Sequence, residues 1–151
     1  MILLAYNEKI NLKIISDVMP EPYARIITME DRFSTRQEKQ DFPFKLKEQV
    51  VMDIFYKDKH YILDFEKGFI WNGANIPTSL WGIVGSNANP AFLLPSMAHD
   101  KLCNEPNLIE RNRLLSSLVF KELLLACGVS KFKANMMFFF VDNYQKLFCK
   151  W

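Results

Sequence analysis

Apolar and polar residues alternate from Lys9 to Ile15, where Ile10, Leu12 and Ile14 are separated by Asn11 and Lys13. A period of two puts the apolar set on one face of a half-buried strand. Arg25 to Met29 offers a second, weaker strand. Two more strand-like runs follow, Lys47 to Tyr56 and Tyr61 to Phe65, joined by Lys57-Asp58-Lys59-His60. That length suits a hairpin loop and places His60 in the turn. Between the strand candidates, residues 31–41 are rich in Arg, Gln, Glu and Lys and read as a solvated, mobile connection.

After Phe65 the period lengthens. Thr78 can cap a short helix through Val84 that Gly85 closes. Asn89-Pro90 is a stronger start signal, a capping side chain followed by the fixed φ of proline at the first helical position. This helix is expected to reach about Cys103, bent or restarted at Pro95, which has no backbone N–H to donate. A further helix is expected from Leu108 to Cys127, closed by Gly128, and a last one from Lys131 to Phe148. The expected class is α+β: N-terminal antiparallel strands with a hairpin, then three or four packed helices. With no repeat, low-complexity tract or proline- or glycine-rich linker, residues 1–151 are expected to form one domain, strand-rich over 1–70 and helical over 77–151.

Composition narrows the classes. The chain has 151 residues, 50% apolar and 24% charged. That length and balance support one sizeable core and exclude a disordered chain. Residues 1–75 hold 11 basic and 12 acidic side chains, a net of −1, and residues 76–151 hold 8 and 5, a net of +3. Neither half has the clustered positive charge of a nucleic-acid binder. The opening run Met1 to Tyr6 has no basic region before it and no long apolar core, so no secretory signal peptide is expected. The longest apolar run, Met136 to Val141, is far below the ~20 residues of a membrane span, and no membrane insertion is expected. Cys103, Cys127 and Cys149 cannot make a complete disulfide framework, which suits a reducing compartment.

Phosphate loops, dinucleotide fingerprints, paired-cysteine motifs, nucleophile elbows and zincin helices have no counterpart in the sequence. What remains is one histidine in Ala98-His99-Asp100-Lys101-Leu102-Cys103, preceded by Gly68-Phe69-Ile70-Trp71-Asn72-Gly73-Ala74-Asn75-Ile76-Pro77. Here the chain resembles a phage-associated family known as domain of unknown function 1353. Its pattern runs Gly-Phe, then Thr-Asp-x-Ala-Ser-Ile-Pro, then Ala-x-x-His-Asp-x-Leu-Tyr, then Arg-x-x-Ala-Asp-x-x-Phe. Gly68-Phe69, Ala74, Ile76-Pro77, His99-Asp100, Leu102, Arg113 and Phe120 match in order and spacing over residues 68–120. Trp71-Asn72 stand where the family has Thr-Asp, Asn75 where it has Ser, Cys103 where it has Tyr, and Ser116-Ser117 where it has Ala-Asp. Two carboxylates of the pattern are neutral polar groups in this chain.

The layout is also similar to that of the secreted calcium-dependent phospholipases, in which one helix carries His-Asp and an Asp on a neighbouring antiparallel helix orients the histidine. That resemblance implies His99 as general base, Asp100 as cation ligand and Ser117 as the orienting group. A serine hydroxyl can hold a tautomer but cannot stabilise an imidazolium by a full charge, and no glycine-rich calcium loop is present. The bland alternative makes His99 a buried histidine hydrogen-bonded to the Asn72–Asn75 loop. In a third reading, His99 and Cys103, one turn apart, hold zinc with Cys127 or Cys149. Isolated cysteines more often behave as small core residues, so no metal and no cofactor is expected. Asn72, Asn75 and Arg113 remain as candidate binding residues.

Met136-Met137-Phe138-Phe139-Phe140-Val141 cannot all point one way, because successive helical residues advance by about 100°. Either the last helix is wrapped on every side, or part of it docks a partner through Phe138, Phe139, Tyr144 and the terminal Trp151. The second is expected, since a chain of this size has few places where a helix can be covered all round. The resemblance implies a phage or prophage protein. With its altered polar set, the expectation is a non-catalytic virion-associated structural or interaction component. It would bind other phage proteins or itself through the C-terminal helix, in the virion or the host cytoplasm. The alternatives are a His-Asp hydrolase acting on a lipid, cell-wall or nucleotide ester, and an inhibitor of a host defence protein.

Overall fold

Strands arise where the period of two holds, and four of them, Ile2–Tyr6, Ile10–Ser16, Val50–Tyr56 and Lys59–Phe65, lie side by side in that order in an antiparallel sheet. The computed structural model describes residues 2–6, 10–16, 44–46, 48–71 and 90–148. The expected strand Arg25–Met29, the connection 31–41, the helix Thr78–Val84, and Asn72, Asn75, Asn89, Cys149 and Trp151 lie outside the described residues. Within them, β1 is Ile2–Tyr6, β2 Ile10–Ser16, β3 Phe44–Lys45, β4 Val50–Tyr56, β5 Lys59–Phe65 and β6 Ile70–Trp71. The apolar opening run is thus the first strand, pairing Ile2 with Ile15 and Tyr6 with Asn11. Val50, Met52 and Ile54 of β4 and Leu63 and Phe65 of β5 are fully buried on one face, as the alternation requires.

The β4–β5 hairpin is tighter than expected. Tyr56 pairs with Lys59 and Phe55 with His60, leaving Lys57-Asp58 as the turn and putting His60 in a strand. Lys57 takes the left-handed φ of 55° that lets so short a loop close. His60 stacks on Phe55 with ring centroids 4.3 Å apart, and its Nε2 lies 3.2 Å from Asp53 Oδ1. A second, small sheet joins β3 to β6, pairing Phe44 with Trp71, and Leu46 extends it by donating its N–H to the Phe69 carbonyl. Two-residue strands carry too little alternation to be read from sequence.

Among the described residues three α-helices follow, α1 Pro90–Asn104, α2 Arg113–Ala126 and α3 Lys131–Phe148. The layout is α+β. Helix α1 does not restart at Pro95, which lies inside it. The expected helix Leu108–Cys127 is divided instead. A 3-10 turn spans Pro106–Ile109, and Glu110 and Arg111 then take left-handed φ values of 55° and 59°, which no continuous helix allows. Asn112 restarts the chain as an N-cap whose Oδ1 accepts the Leu115 N–H at 3.0 Å. Glu110 is tied to the sheet by Lys59 Nζ at 2.5 Å and by the Tyr61 hydroxyl at 3.3 Å. Gly128 ends α2 at φ +88°, with nothing within 4 Å of an added Cβ; the conformation, not space, calls for glycine there.

The buried side chains form two clusters. The larger joins the sheet, Trp71, α1, Ile109 and one side of α2 through residues such as Leu12, Met52, Phe65, Met97, Leu102, Val119 and Leu123. The smaller, Phe92, Phe120, Leu124, Ala134 and Met137, is where α3 meets α2 and α1.

Candidate functional site

His99 and Asp100 lie in the second half of α1, after the buried run Phe92 to Ala98. Being consecutive, they point about 100° apart and cannot share one direction. The His99 ring packs against Phe120 of α2 at 5.4 Å between centroids. Its Nε2 lies 3.5 Å from the Sγ of Cys103, one turn along the same helix. Desolvation lowers the His99 pKa to about 4 and raises that of Asp100 to about 6. At neutral pH the imidazole is therefore uncharged and the carboxylate largely ionised. The His99–Cys103 pair exists as the spacing implied. Among the described residues, no group of three or more His, Cys, Asp or Glu gathers where it could hold a metal ion. Burial pushes the Cys127 thiol up to about 12, far from the thiolate that zinc would need.

Ser117 and Arg113 serve a different place. Both face α3, where Arg113 Nη1 and Asp142 Oδ1 form an ion pair. The same carboxylate oxygen accepts a hydrogen bond from the Ser117 hydroxyl at 2.9 Å. Gln145, one turn further along α3, donates its Nε2 hydrogen to Ser117 Oγ at 3.0 Å. Ser117 and Gln145 are wholly buried, and Gln145 Oε1 and Ser116 Oγ have no hydrogen-bond partner. The phospholipase-like role needs Ser117 turned to His99, but the structure engages its hydroxyl with α3 and with the Arg113 carbonyl of its own helix. Position 117, which the resemblance equates with an aspartate, thus still has a carboxylate beside it, supplied across the helix seam by Asp142. Nothing in the sequence pairs residues 25 to 29 positions apart, so this partnership was not legible. Its one trace is that Asp142 and Gln145, three apart, interrupt an otherwise apolar helix on one side.

The outer face of α3 is the third feature. Phe132, Phe139, Phe140 and Leu147 are 66%, 63%, 42% and 74% exposed, whereas Ala134, Met137 and Gln145 are buried. The helix is inverted in size: Ala134, Met137 and Gln145 face the protein, with Met136 and Val141 packed against the same cluster, and the bulkier Phe132, Phe139 and Phe140 face out. Of the interface candidates, Phe139 and Tyr144 are exposed. Phe138 is half-buried on the flank, its ring 5.5 Å beneath Lys121 Nζ. The wrapped alternative for α3 does not hold, and the patch is more than the six-residue run that signalled it, because Phe132 and Leu147 extend it over most of the helix.

A family model described as "Protein of unknown function (DUF1353)" matches residues 48–141. The matched stretch begins before β4 and ends inside α3, so the His-Asp helix and Arg113 fall within it and Asp142, Gln145 and Leu147 beyond it. No curated protein and no solved structure matches the chain. No described helix is long and apolar enough to cross a membrane.

Proposed function

The chain belongs to this DUF1353 family, and from that premise we propose that it is a non-catalytic interaction protein, a virion-associated component that docks another protein through the outer face of α3. The observation that carries this reading is the inversion of α3. Large apolar side chains are worth about 1.5–3 kcal/mol each when covered, and here four of them stand in solvent along one helix. Aromatic residues gathered on one exposed face are enriched at interface cores. The phage association comes from the resemblance of the His99-Asp100 and Arg113 segments, and with it the proposed location in the virion or the host cytoplasm. The environment of His99 suits a structural role, because its ring meets Phe120 and the Cys103 thiol, while the carboxylate nearest Ser117 is bound by Arg113.

The test is Phe139→Glu combined with Leu147→Glu, followed in purified phage particles by mass spectrometry. Both positions are more than half exposed, so the melting temperature is expected to stay within a degree or two of wild type. Wild-type protein is expected in the particles and the variant is expected to be lost from them. Retention of the folded variant at wild-type copy number would overturn the reading.

A further inference from the structure

We infer that the partner presents an acidic amphipathic helix, whose apolar ridge lies along α3 between two borders that are both positively charged. This rests on the reading of α3 as a docking face and adds the chemistry of what docks there. Phe132, Met136, Phe139, Asn143 and Leu147 recur at intervals of four, three, four and four. That spacing traces one seam down a helix, about 22 Å long at 1.5 Å per residue, with the shape that a second helix fills. Lys133 and Phe140 are seven apart, as are Phe139 and Lys146, so each lysine stands above or below an aromatic residue on its own side of the helix. Lys133 marks one border of the seam and Lys146 the other, and both are exposed.

Charge decides the occupant. The only acidic residue between Lys131 and Phe148 is Asp142, and it is held by Arg113 and Ser117 on the inner side. A second copy of α3, parallel or antiparallel, would offer these lysines no free carboxylate. Like charges at helix borders select against a pairing, and opposite ones select for it. A bilayer surface of anionic lipid could meet the lysines, but Asn143 lies in the middle of the seam. Its amide would cost free energy in hydrocarbon, whereas helix pairs use a central Asn to set register. The Asn143 Nδ2 already donates to the Phe139 carbonyl at 2.8 Å, which holds the side chain against its own helix and leaves the ridge passable.

The probes are two synthetic 18-residue helical peptides with the same leucine seam, one bordered by glutamate and the other by lysine. Binding is measured by fluorescence anisotropy at low and moderate salt. The glutamate peptide is expected to bind wild type at least tenfold more tightly than the lysine peptide, with the advantage shrinking as salt rises. Lys133→Glu with Lys146→Glu, both exposed and outside the inner network, is expected to reverse that preference. Equal affinity for the two peptides, an unreversed preference, or binding to neither would overturn the inference. So would binding confined to phosphatidylglycerol vesicles, or a wild-type dimer in sedimentation that Phe139→Glu dissociates. The docking reading is judged separately by particle incorporation. If Phe139→Glu/Leu147→Glu is lost from particles while the lysine reversal is not, the acidic partner is wrong and the docking face stands.

Discussion

Helix α2 turns Leu115, Val119 and Leu123 toward the sheet and Phe120 and Leu124 toward α3, leaving Leu114 as its exposed large apolar residue. Helix α3, beside it and of similar length, buries Ala134, Met137 and Gln145 and exposes Phe132, Phe139, Phe140 and Leu147. Both helices repeat their apolar residues at the helical period, and both are amphipathic. They differ in what holds the inner face. On α2 it is apolar area, whose release of water scales with size. On α3 it is a small apolar contact around Met137 plus a polar clasp, Arg113–Asp142–Ser117–Gln145. A clasp of this kind specifies one rotation of the helix, because only one face carries its donors and acceptors. Amphipathic strength therefore does not say which face is inside, and where the clasp wins, the bulky face is left for something else.

The largest contrast is expected between the sheet-side core and the outer face of α3. Trp71→Ala removes a fully buried indole and the bond its Nε1 donates to Ser96 Oγ at 3.1 Å. It should cost about 3–5 kcal/mol in urea or thermal unfolding. Leu147→Ala, at 74% exposure, should stay within about 0.5 kcal/mol. Comparable losses at the two sites would mean that the two faces are not differently used.

The clasp should come next. Asp142→Ala removes the carboxylate that Arg113 and Ser117 share and is expected to cost about 2–3 kcal/mol. Arg113→Met with Asp142→Leu replaces the pair by apolar groups and should cost clearly less than Asp142→Ala alone. A double-mutant cycle checks the coupling; additive effects would show that the clasp does not act as a unit.

The effect expected at α1 shows only as a pH dependence and is nearly silent in wild type. His99 has its pKa lowered from the usual 6.5 to about 4, so the unfolded chain takes up a proton between those values that the folded chain refuses. Its contribution to stability falls as the pH drops through that window. Asp100 has its pKa raised from 3.8 to about 6, so the folded chain keeps a proton that the unfolded chain releases. Its contribution is present at low pH and is lost as the pH rises through 6. Between pH 4 and 6 the two slopes oppose each other, and wild type should melt at a nearly constant temperature as far as this pair is concerned. Asp100→Asn leaves the His99 slope unopposed. The variant should lose about 2–3 kcal/mol, relative to its own value at pH 7, on going to pH 4. Thermal melts from pH 4 to 7 check this, and parallel profiles for variant and wild type would refute it.

Much of the architecture was legible. The alternation from Ile10 to Ile14, the paired runs around Lys57-Asp58, the Asn89-Pro90 start and the Gly128 stop are local signals acting over a few residues, and β2, β4, β5, α1 and α3 follow them. The structure departs from these signals in two places, one for a local reason and one for a distant one. A four-residue loop was expected where two residues suffice once Lys57 turns left-handed. A continuous helix was expected where Pro106 and Asn112 divide it, because the cost of left-handed Glu110 and Arg111 is offset by Lys59 and Tyr61, 51 and 49 residues away. The candidate site was half legible. His99 and Cys103 stand one turn apart on α1, as their spacing implies, and the surplus of apolar residues on α3 is visible in its sequence.

What the sequence determined by itself was periodicity: where strands and helices run, and that α3 carries more apolar surface than one face can bury. Only the tertiary structure decided which face that surplus occupies. Asp142 could not declare its preference for Arg113 and Ser117 until α2 and α3 lay side by side. The guanidinium and hydroxyl that answer the carboxylate stand on one side of α3 alone, so leaving that face would strand a partly desolvated charge. Rotation about a helix axis is a choice between competing partners, and those partners lie 25 to 29 residues away in the chain.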